Sequence, residues 1–365
     1  MPDPVPTRIL GLSGPRQATL FEEQARAPAD GEFLVQTLFT GLSAGTELTF
    51  YKGTNPYLHS GFDEELGVFD GGRPAMRYPI TRLGYMEVGR VAESRAHGVE
   101  PGQTLAMAYG HRTAHVADAT RERYVPLPDD VEPLLGIYAA HMGPICANGL
   151  LHAAAELASG PVRALGEGVA GRRVVVIGAG VVGLLTGLFA SEHGAEAVAV
   201  VDPSERRLAA ARALGLDAHR EEPELWRRFK QEWVHGPRDR GADVVFQCRG
   251  RTESLAVALR CLRPQGTVID LAFYQGGADA LRLGEEFHHN GLGIRCAQIG
   301  RVPRLLRDEW DRDRLSRETV ALLQARGADI AAALVTDVLP LEQAPLLLAQ
   351  LAAREREVLQ AVFSV

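Results

Sequence analysis

The chain has few cysteines: four in 365 residues (Cys146, Cys248, Cys261 and Cys296), none of them before Cys146. No two are spaced as C-x-x-C, so neither a disulfide framework nor a cysteine-built metal site is expected, and scattered thiols suit a reducing cytoplasm. Lysine is almost missing, with Lys52 and Lys230 as the only two; no function follows from that bias. The charge imbalance is small, a formal −7, which argues against nucleic acid or an anionic membrane as partner. The opening MPDPVPTRIL has neither a basic n-region nor an apolar h-region, so a secretory leader is not expected and a cytoplasmic location is. The charge-free run from Val174 to Ser191 is 18 residues long, but glycines interrupt it and an arginine pair precedes it, which makes a membrane span a poor reading. There are no internal repeats and no low-complexity tracts.

What is present centres on Arg173-Val174-Val175-Val176-Ile177-Gly178-Ala179-Gly180-Val181-Val182-Gly183. Consecutive β-branched residues read as a strand buried on both faces, and Gly178-x-Gly180-x-x-Gly183 turns it directly into an apolar helix. The first glycine permits the tight bend, the second admits a pyrophosphate to the backbone, and the third lets helix and strand pack. The helix start then offers free N–H groups to the phosphates at Val181 and Val182. A second strand, Ala197 to Val201, ends in Asp202, 19 residues beyond Gly183, where a carboxylate accepts from an adenosine ribose. The expected ligand is a nicotinamide dinucleotide, with Asp202 favouring NAD; Arg207 nearby leaves NADP open.

Before this point, from Ile9 to about Val125, short alternating runs such as Phe33 to Phe39 are separated by glycine and proline turns, as in a β-rich domain. Asn55 to Pro79 has no period and reads as a long surface loop of the kind that carries function. Leu134 to Leu157 is helical. After Arg173, strands and helices alternate: helices at 204–214, 222–234 and 253–262, and strands at 243–246, 266–271 and 293–299. This is a parallel, doubly wound sheet. A helix at 316–325, a strand at 334–338, a helix at 341–352 and a strand at 358–365 close the chain. Cys248-Arg249-Gly250, Ala272-Phe273 and Cys296 end strands at the ligand-binding mouth of the sheet, with plain turns or core as the alternative reading. His288-His289-Asn290 reads as a surface turn.

Gly41-Leu42-Ser43-Ala44-Gly45-Thr46-Glu47-Leu48 resembles the G-x-C-G-T-D-L segment of the medium-chain dehydrogenase/reductase superfamily with one residue inserted, and Gly84-Tyr85-Met86-Glu87-Val88-Gly89 resembles its G-H-E-x-x-G segment. Val335 to Val365 resembles the superfamily's closing strand–helix–strand. Within that superfamily, S-A-G-T-E is most similar to a branch of threonine-dehydrogenase-like and bacteriochlorophyllide dehydrogenase proteins. The resemblance covers essentially the whole chain. It implies an α/β fold: a Rossmann doubly wound parallel sheet at 141–300, plus a β-rich GroES-like catalytic domain made of 1–140 and 301–365. It also implies a small-molecule substrate and a homodimer or homotetramer. Zinc-dependent members hold a catalytic metal with cysteine, histidine and a third ligand. Here the cysteine position falls on Ser43 or Ala44, the histidine position is Tyr85 and the glutamate position is Met86. These groups make a poor Zn²⁺ site, so no metal is expected.

The expectation is therefore a zinc-independent NAD(P)-dependent oxidoreductase. Alcohol–carbonyl interconversion is favoured, and conjugate reduction of an enone, quinone or enoyl substrate is the alternative. Without a metal, the substrate oxygen needs a hydrogen-bond or proton donor. Tyr85 is the candidate, with Thr46 and Glu47 as an outward proton relay and Lys52 as a weaker donor; the competing reading is that Tyr85 only fills vacated space. Gly41-x-Ser43-x-Gly45 also matches a hydrolase elbow, which needs a following helix, and Thr46 to Tyr51 reads as poor helix material. A catalytically silent dinucleotide-binding protein is a third class.

Overall fold

A computed structural model describes residues 4–365, and the chain divides into two compact units, one of residues 1–141 and 335–365, the other Met142–Leu334.

In the second unit, six parallel strands run in the order 217–220, 197–202, 173–177, 242–247, 262–270 and 293–296. The strand Arg173–Ile177 lies at the point where the order reverses, paired in parallel on both sides. Its Val174, Val175, Val176 and Ile177 are fully buried, as the run of β-branched residues requires. Each such side chain contributes about 1.5–3 kcal/mol by leaving water. The strand ends in register with its neighbours, Ile177 opposite Val201 and Gln247, Gln247 opposite Asp270, and Asp270 opposite Cys296. Five strand ends therefore form one row at the carboxyl edge of the sheet.

The boundary expected at residue 300 falls instead at Leu334. The helix expected over 316–325 runs from Arg312 to Leu334, and its Leu315, Leu322, Leu323, Ile330 and Leu334 are buried. It packs on the helix Met142–Leu157, where Gly143 faces Thr319 so closely that an added Cβ would lie 2.1 Å from the threonine methyl. That apolar seam, not chain order, fixes where residues 301–334 belong. His288–Asn290 lies in a short helix, Glu286–Asn290, and not in a bare turn.

The first unit is built on a seven-stranded sheet whose path runs 335–340, 360–364, 32–41, 87–94, 104–107 and 125–126, with 114–118 also paired to 32–41. A hairpin of Val5–Gly14 and Gln17–Ala25 packs beside it. The strand Glu32–Gly41 leads through Ser43 into a helix, Ala44–Lys52. The reading of Thr46 to Tyr51 as poor helix material is thus corrected. Local propensity is outweighed by burial of Glu47, Thr49 and Tyr51, and by Gly53 closing the helix in the left-handed conformation. Within the loop from Asn55 to Pro79 there is a short two-stranded hairpin, Phe62–Asp63 with Val68–Phe69.

Candidate active site

In the second unit the glycine turn has the geometry its spacing predicts. Gly178 sits at φ 105°, open to few residues but glycine. Gly183 lies against the Gly178 carbonyl, and nothing lies within 4 Å of where a Cβ on Gly180 would be. That open space faces the start of the helix Val181–Glu192, whose first-turn N–H groups lack intrahelical partners. The cradle suits a pyrophosphate.

Asp202 ends its strand with only 2% exposure. Ala179 N–H donates to its Oδ2 and Ser204 N–H to its Oδ1, both at 2.8 Å, and Arg207 Nη1 stands 3.9 Å from Oδ2. The carboxylate thus also ties the glycine turn to the next strand. Arg249 pairs with Glu221, and its Cβ stands 3.1 Å from the place of a Cβ on Gly178. Burial pushes the Cys248 thiol well up, so it is a thiol and not a nucleophilic thiolate. Ala272 N–H donates to Asp270 Oδ1, Phe273 and Cys296 are exposed, and Gly250 abuts the Phe273 carbonyl. Sequence reasoning missed the polar groups between these strand ends. Gln247 Nε2 donates to the Arg249 carbonyl at 2.8 Å, and Tyr274 donates to Asp270 Oδ2 at 2.9 Å. A cavity of about 320 Å³ opens there, bounded by Gly250, Thr252 and Tyr274.

In the first unit, Tyr85 and Ser43 share a short hydroxyl–hydroxyl hydrogen bond, and Thr46 Oγ1 lies 3.4 Å from the Tyr85 oxygen. His141 lies against the Tyr85 ring, centroids 4.6 Å apart. Tyr85 is half-buried, and burial raises its pKa above the ordinary value against the opposing effect of Ser43 and Thr46. At neutral pH it is a phenol, able to donate.

Glu47 is not an outward relay. It is buried, Oε1 accepts the Ser43 N–H at 2.7 Å, and Oε2 meets His111 Nε2 at 2.7 Å. Lys52, at the far end of the nine-residue helix Ala44–Lys52 from Ser43, is displaced by about 13 Å along the axis. That separation takes it out of the hydroxyl cluster. His111 was missed altogether, since an isolated histidine in Gly110-His111-Arg112 carries no pattern. It is fully buried, with Nδ1 at 2.5 Å from Thr40 Oγ1, and Thr40 in turn donates to Glu87 Oε1 at 3.1 Å. Nε2 faces an oxygen of Glu47 and Nδ1 faces the Thr40 hydroxyl, so a doubly protonated ring has an acceptor at each nitrogen. Burial works to lower the His111 pKa, and Glu47 and Glu87 outweigh it, leaving it raised. Burial also raises the Glu87 carboxyl.

By the resemblance drawn from the sequence, the metal-holding positions of zinc-dependent relatives fall on Ser43 or Ala44, on Tyr85 and on the fully buried Met86. Two hydroxyls bonded to each other and a thioether do not fit Zn²⁺, and no group of three or more potential His, Cys, Asp or Glu ligands occurs among the described residues.

Ser43 also meets the strand-to-helix condition of a hydrolase elbow. Its φ of −89° lacks the strain of that motif, and the second unit leaves a dinucleotide cradle that a hydrolase does not need.

The chain thus has a unit with a six-stranded parallel sheet and a glycine turn, and a β-rich unit. Residues 181–308 match the family model described as zinc-binding dehydrogenase. D-guloside 3-dehydrogenase of Escherichia coli K12 is 27% identical over 323 residues, covering 86% of this chain and 87% of that protein. Among solved structures, a zinc-binding dehydrogenase from Sinorhizobium meliloti bound to NADP superposes with a TM-score of 0.71 at 17% identity, over 99% of both chains. An alcohol dehydrogenase from Escherichia coli CFT073 complexed with NADH gives 0.72 at 15% identity, over 99% of this chain and 100% of that one. The chain is thus similar over most of its length to a curated sugar dehydrogenase, and it has the fold of the solved dehydrogenases, with the family match confined to residues 181–308.

Proposed function

We propose that this protein is a zinc-independent, NAD(P)-dependent dehydrogenase that interconverts a secondary alcohol and a ketone on a sugar-like or polyol substrate. The observation that carries the reading is the Ser43–Tyr85 hydroxyl pair, at segments whose resemblance to the zinc-dependent relatives puts a metal ligand at Tyr85 and another at Ser43 or Ala44. A phenol kept protonated by burial can donate its proton to the substrate oxygen on reduction, with Ser43 orienting it; in the oxidation direction Tyr85 first releases that proton to solvent and then takes the alcohol proton as the phenolate. The guloside-oxidising relative supports the polyol class.

A nicotinamide dinucleotide bound at the glycine turn would accept or supply the hydride. Gly180 and the N–H groups of Val181 and Val182 would hold its pyrophosphate, and Asp202 would face the adenosine ribose, with Arg207 and Arg249 beside it. Ala272, Phe273 and Cys296 would border its nicotinamide end. These residues bind and orient, which is where most of the protein's share of hydride transfer lies.

The test is a panel of sugars, polyols, secondary alcohols, quinones and enones followed by NAD(P)H absorbance, together with elemental analysis of the purified protein. The expected result is oxidation of a polyol or sugar hydroxyl by protein holding less than stoichiometric zinc and indifferent to chelators. Turnover confined to enones or quinones, or activity that disappears with one zinc per chain, contradicts it. Turnover of nothing in the panel despite tight dinucleotide binding favours the catalytically silent class.

A further inference from the structure

We propose that His111 is a positioning residue that fixes the spacing and orientation of the Ser43–Tyr85 hydroxyl pair. The consequence for turnover rests on the function proposed above; the positioning itself does not.

Ser43 and Tyr85 come from different parts of the first unit: one from the turn between the strand Glu32–Gly41 and its helix, the other from the segment entering the strand Glu87–Ser94. Two hydroxyls brought together this way hold a short hydrogen bond only if both backbones are fixed. His111 touches both. On the Ser43 side, its Nε2 meets Glu47 Oε2, and the other oxygen of that carboxylate accepts the Ser43 N–H. On the Tyr85 side, the His111 N–H donates to the Leu83 carbonyl at 2.8 Å, and the ring lies flat against Gly84. A Cβ on Gly84 would meet His111 Nε2 at 2.6 Å, Cε1 at 2.8 Å and Cδ2 at 2.9 Å. Gly84 is the residue that carries Tyr85, and its φ of 95° aims the chain there.

His111 is held from the opposite side as well. Thr40 bonds Nδ1 and Glu87 Oε1, and Glu87 Oε2 accepts the Tyr109 N–H at 2.8 Å. The ring of Phe363 meets the imidazole edge-on at 5.8 Å. Side chains from three strands and one helix thus lock one imidazole in place, and that imidazole spaces the two backbones that bear the hydroxyls. A buried ion pair of this kind adds little to stability over a well-packed apolar substitute. Fixing the geometry of a reacting pair is a use for which its rigidity matters, since a displacement near 1 Å can lower a rate by about 10²-fold.

The experiment uses full-length protein carrying tyrosine isotope-labelled at the phenol carbon, with the Tyr85 NMR resonance assigned by its loss in Tyr85→Phe. His111→Gln is compared with His115→Gln, which removes another histidine–glutamate pair of the same unit, that with Glu122 at 2.7 Å. Positioning predicts that His111→Gln displaces and broadens the Tyr85 resonance while His115→Gln leaves it in place. It also predicts that kcat falls by about 10-fold to 10²-fold with the dinucleotide Kd unchanged. Thr40→Val, which removes only the Nδ1 partner, should act in the same direction and more weakly, and it decides the matter if His111→Gln does not fold. A Tyr85 resonance unmoved in the folded variants overturns the proposal. If the resonance depends on His111 while Tyr85→Phe turns over at the wild-type rate, the positioning stands and the proposed function falls.

Discussion

Gly183 and Gly178 approach so closely that a Cβ added to Gly183 would lie 1.7 Å from the Gly178 carbonyl oxygen, whereas a Cβ on Gly180 would have no atom within 4 Å. The three glycines of one motif therefore have separable tasks. Gly183→Ala should prevent or severely weaken folding of the second unit, because the overlapping atom is backbone. Gly180→Ala should fold with an unchanged Tm and lose dinucleotide binding, since the space its methyl takes is the space for the pyrophosphate. Thermal melting and calorimetric titration with NADH separate the two; a Gly180→Ala protein that binds NADH like the wild type contradicts the cradle.

Gly84→Ala should destabilise the first unit by about 2 kcal/mol or more, through strain at positive φ and collision with the His111 ring. Urea unfolding measures it. A loss below about 0.5 kcal/mol would mean that the ring yields easily and is not a spacer.

The His111 pair sets a direction for pH dependence. Its pKa is raised above 6.5 in the fold, so its contribution to stability is complete below that value and declines as pH rises through the folded pKa. Glu87 is also raised, and its contribution likewise declines upward from its ordinary 4.5. The stability of the wild type relative to His111→Gln should therefore be larger on the acid side of His111's ordinary 6.5 and shrink as pH rises above it, with a slope of at most about 1.4 kcal/mol per pH unit for one proton. Urea unfolding of both proteins on either side of that pH checks it; a gap that widens with pH contradicts the assignment.

Cofactor choice follows from Asp202. A 2′-phosphate about 4 Å from a carboxylate is repelled by up to ~4 kcal/mol at an effective dielectric near 20. Arg207, 3.9 Å from the carboxylate, offsets part of this. NADH is expected to bind about tenfold to a hundredfold more tightly than NADPH, and Asp202→Asn should narrow the difference. Calorimetry with both nucleotides decides, and tighter NADPH binding contradicts the prediction.

The fold of the second unit was legible because its signals lie close together in the chain: a β-branched run, three glycines at fixed spacing and an acid at the next strand end. The hydroxyl site was legible only at Tyr85, through a motif position, and Thr46 joined it. Glu47 was placed in an outward relay because the segment Thr46 to Tyr51 was not read as a helix, whereas it is helical and turns the carboxylate inward onto His111. Lys52 was misread for the same reason, since once the segment is helical its nine positions from Ser43 are a long way in space. His111 comes from a loop more than 60 residues from Glu47, and only the pairing of distant strands brings them together. The domain boundary at Leu334 depended on a helix–helix seam around Gly143 that no local pattern announces.

The most direct test of the account is the kcat of Tyr85→Phe on the substrate found in the panel. Removing one positioned proton donor should lower kcat by about 10²-fold or more while the Kd for the dinucleotide stays that of the wild type. A Phe variant that keeps more than about a third of the wild-type kcat, well outside the usual effect of losing such a group, would show that Tyr85 only fills space and that the proton comes from elsewhere.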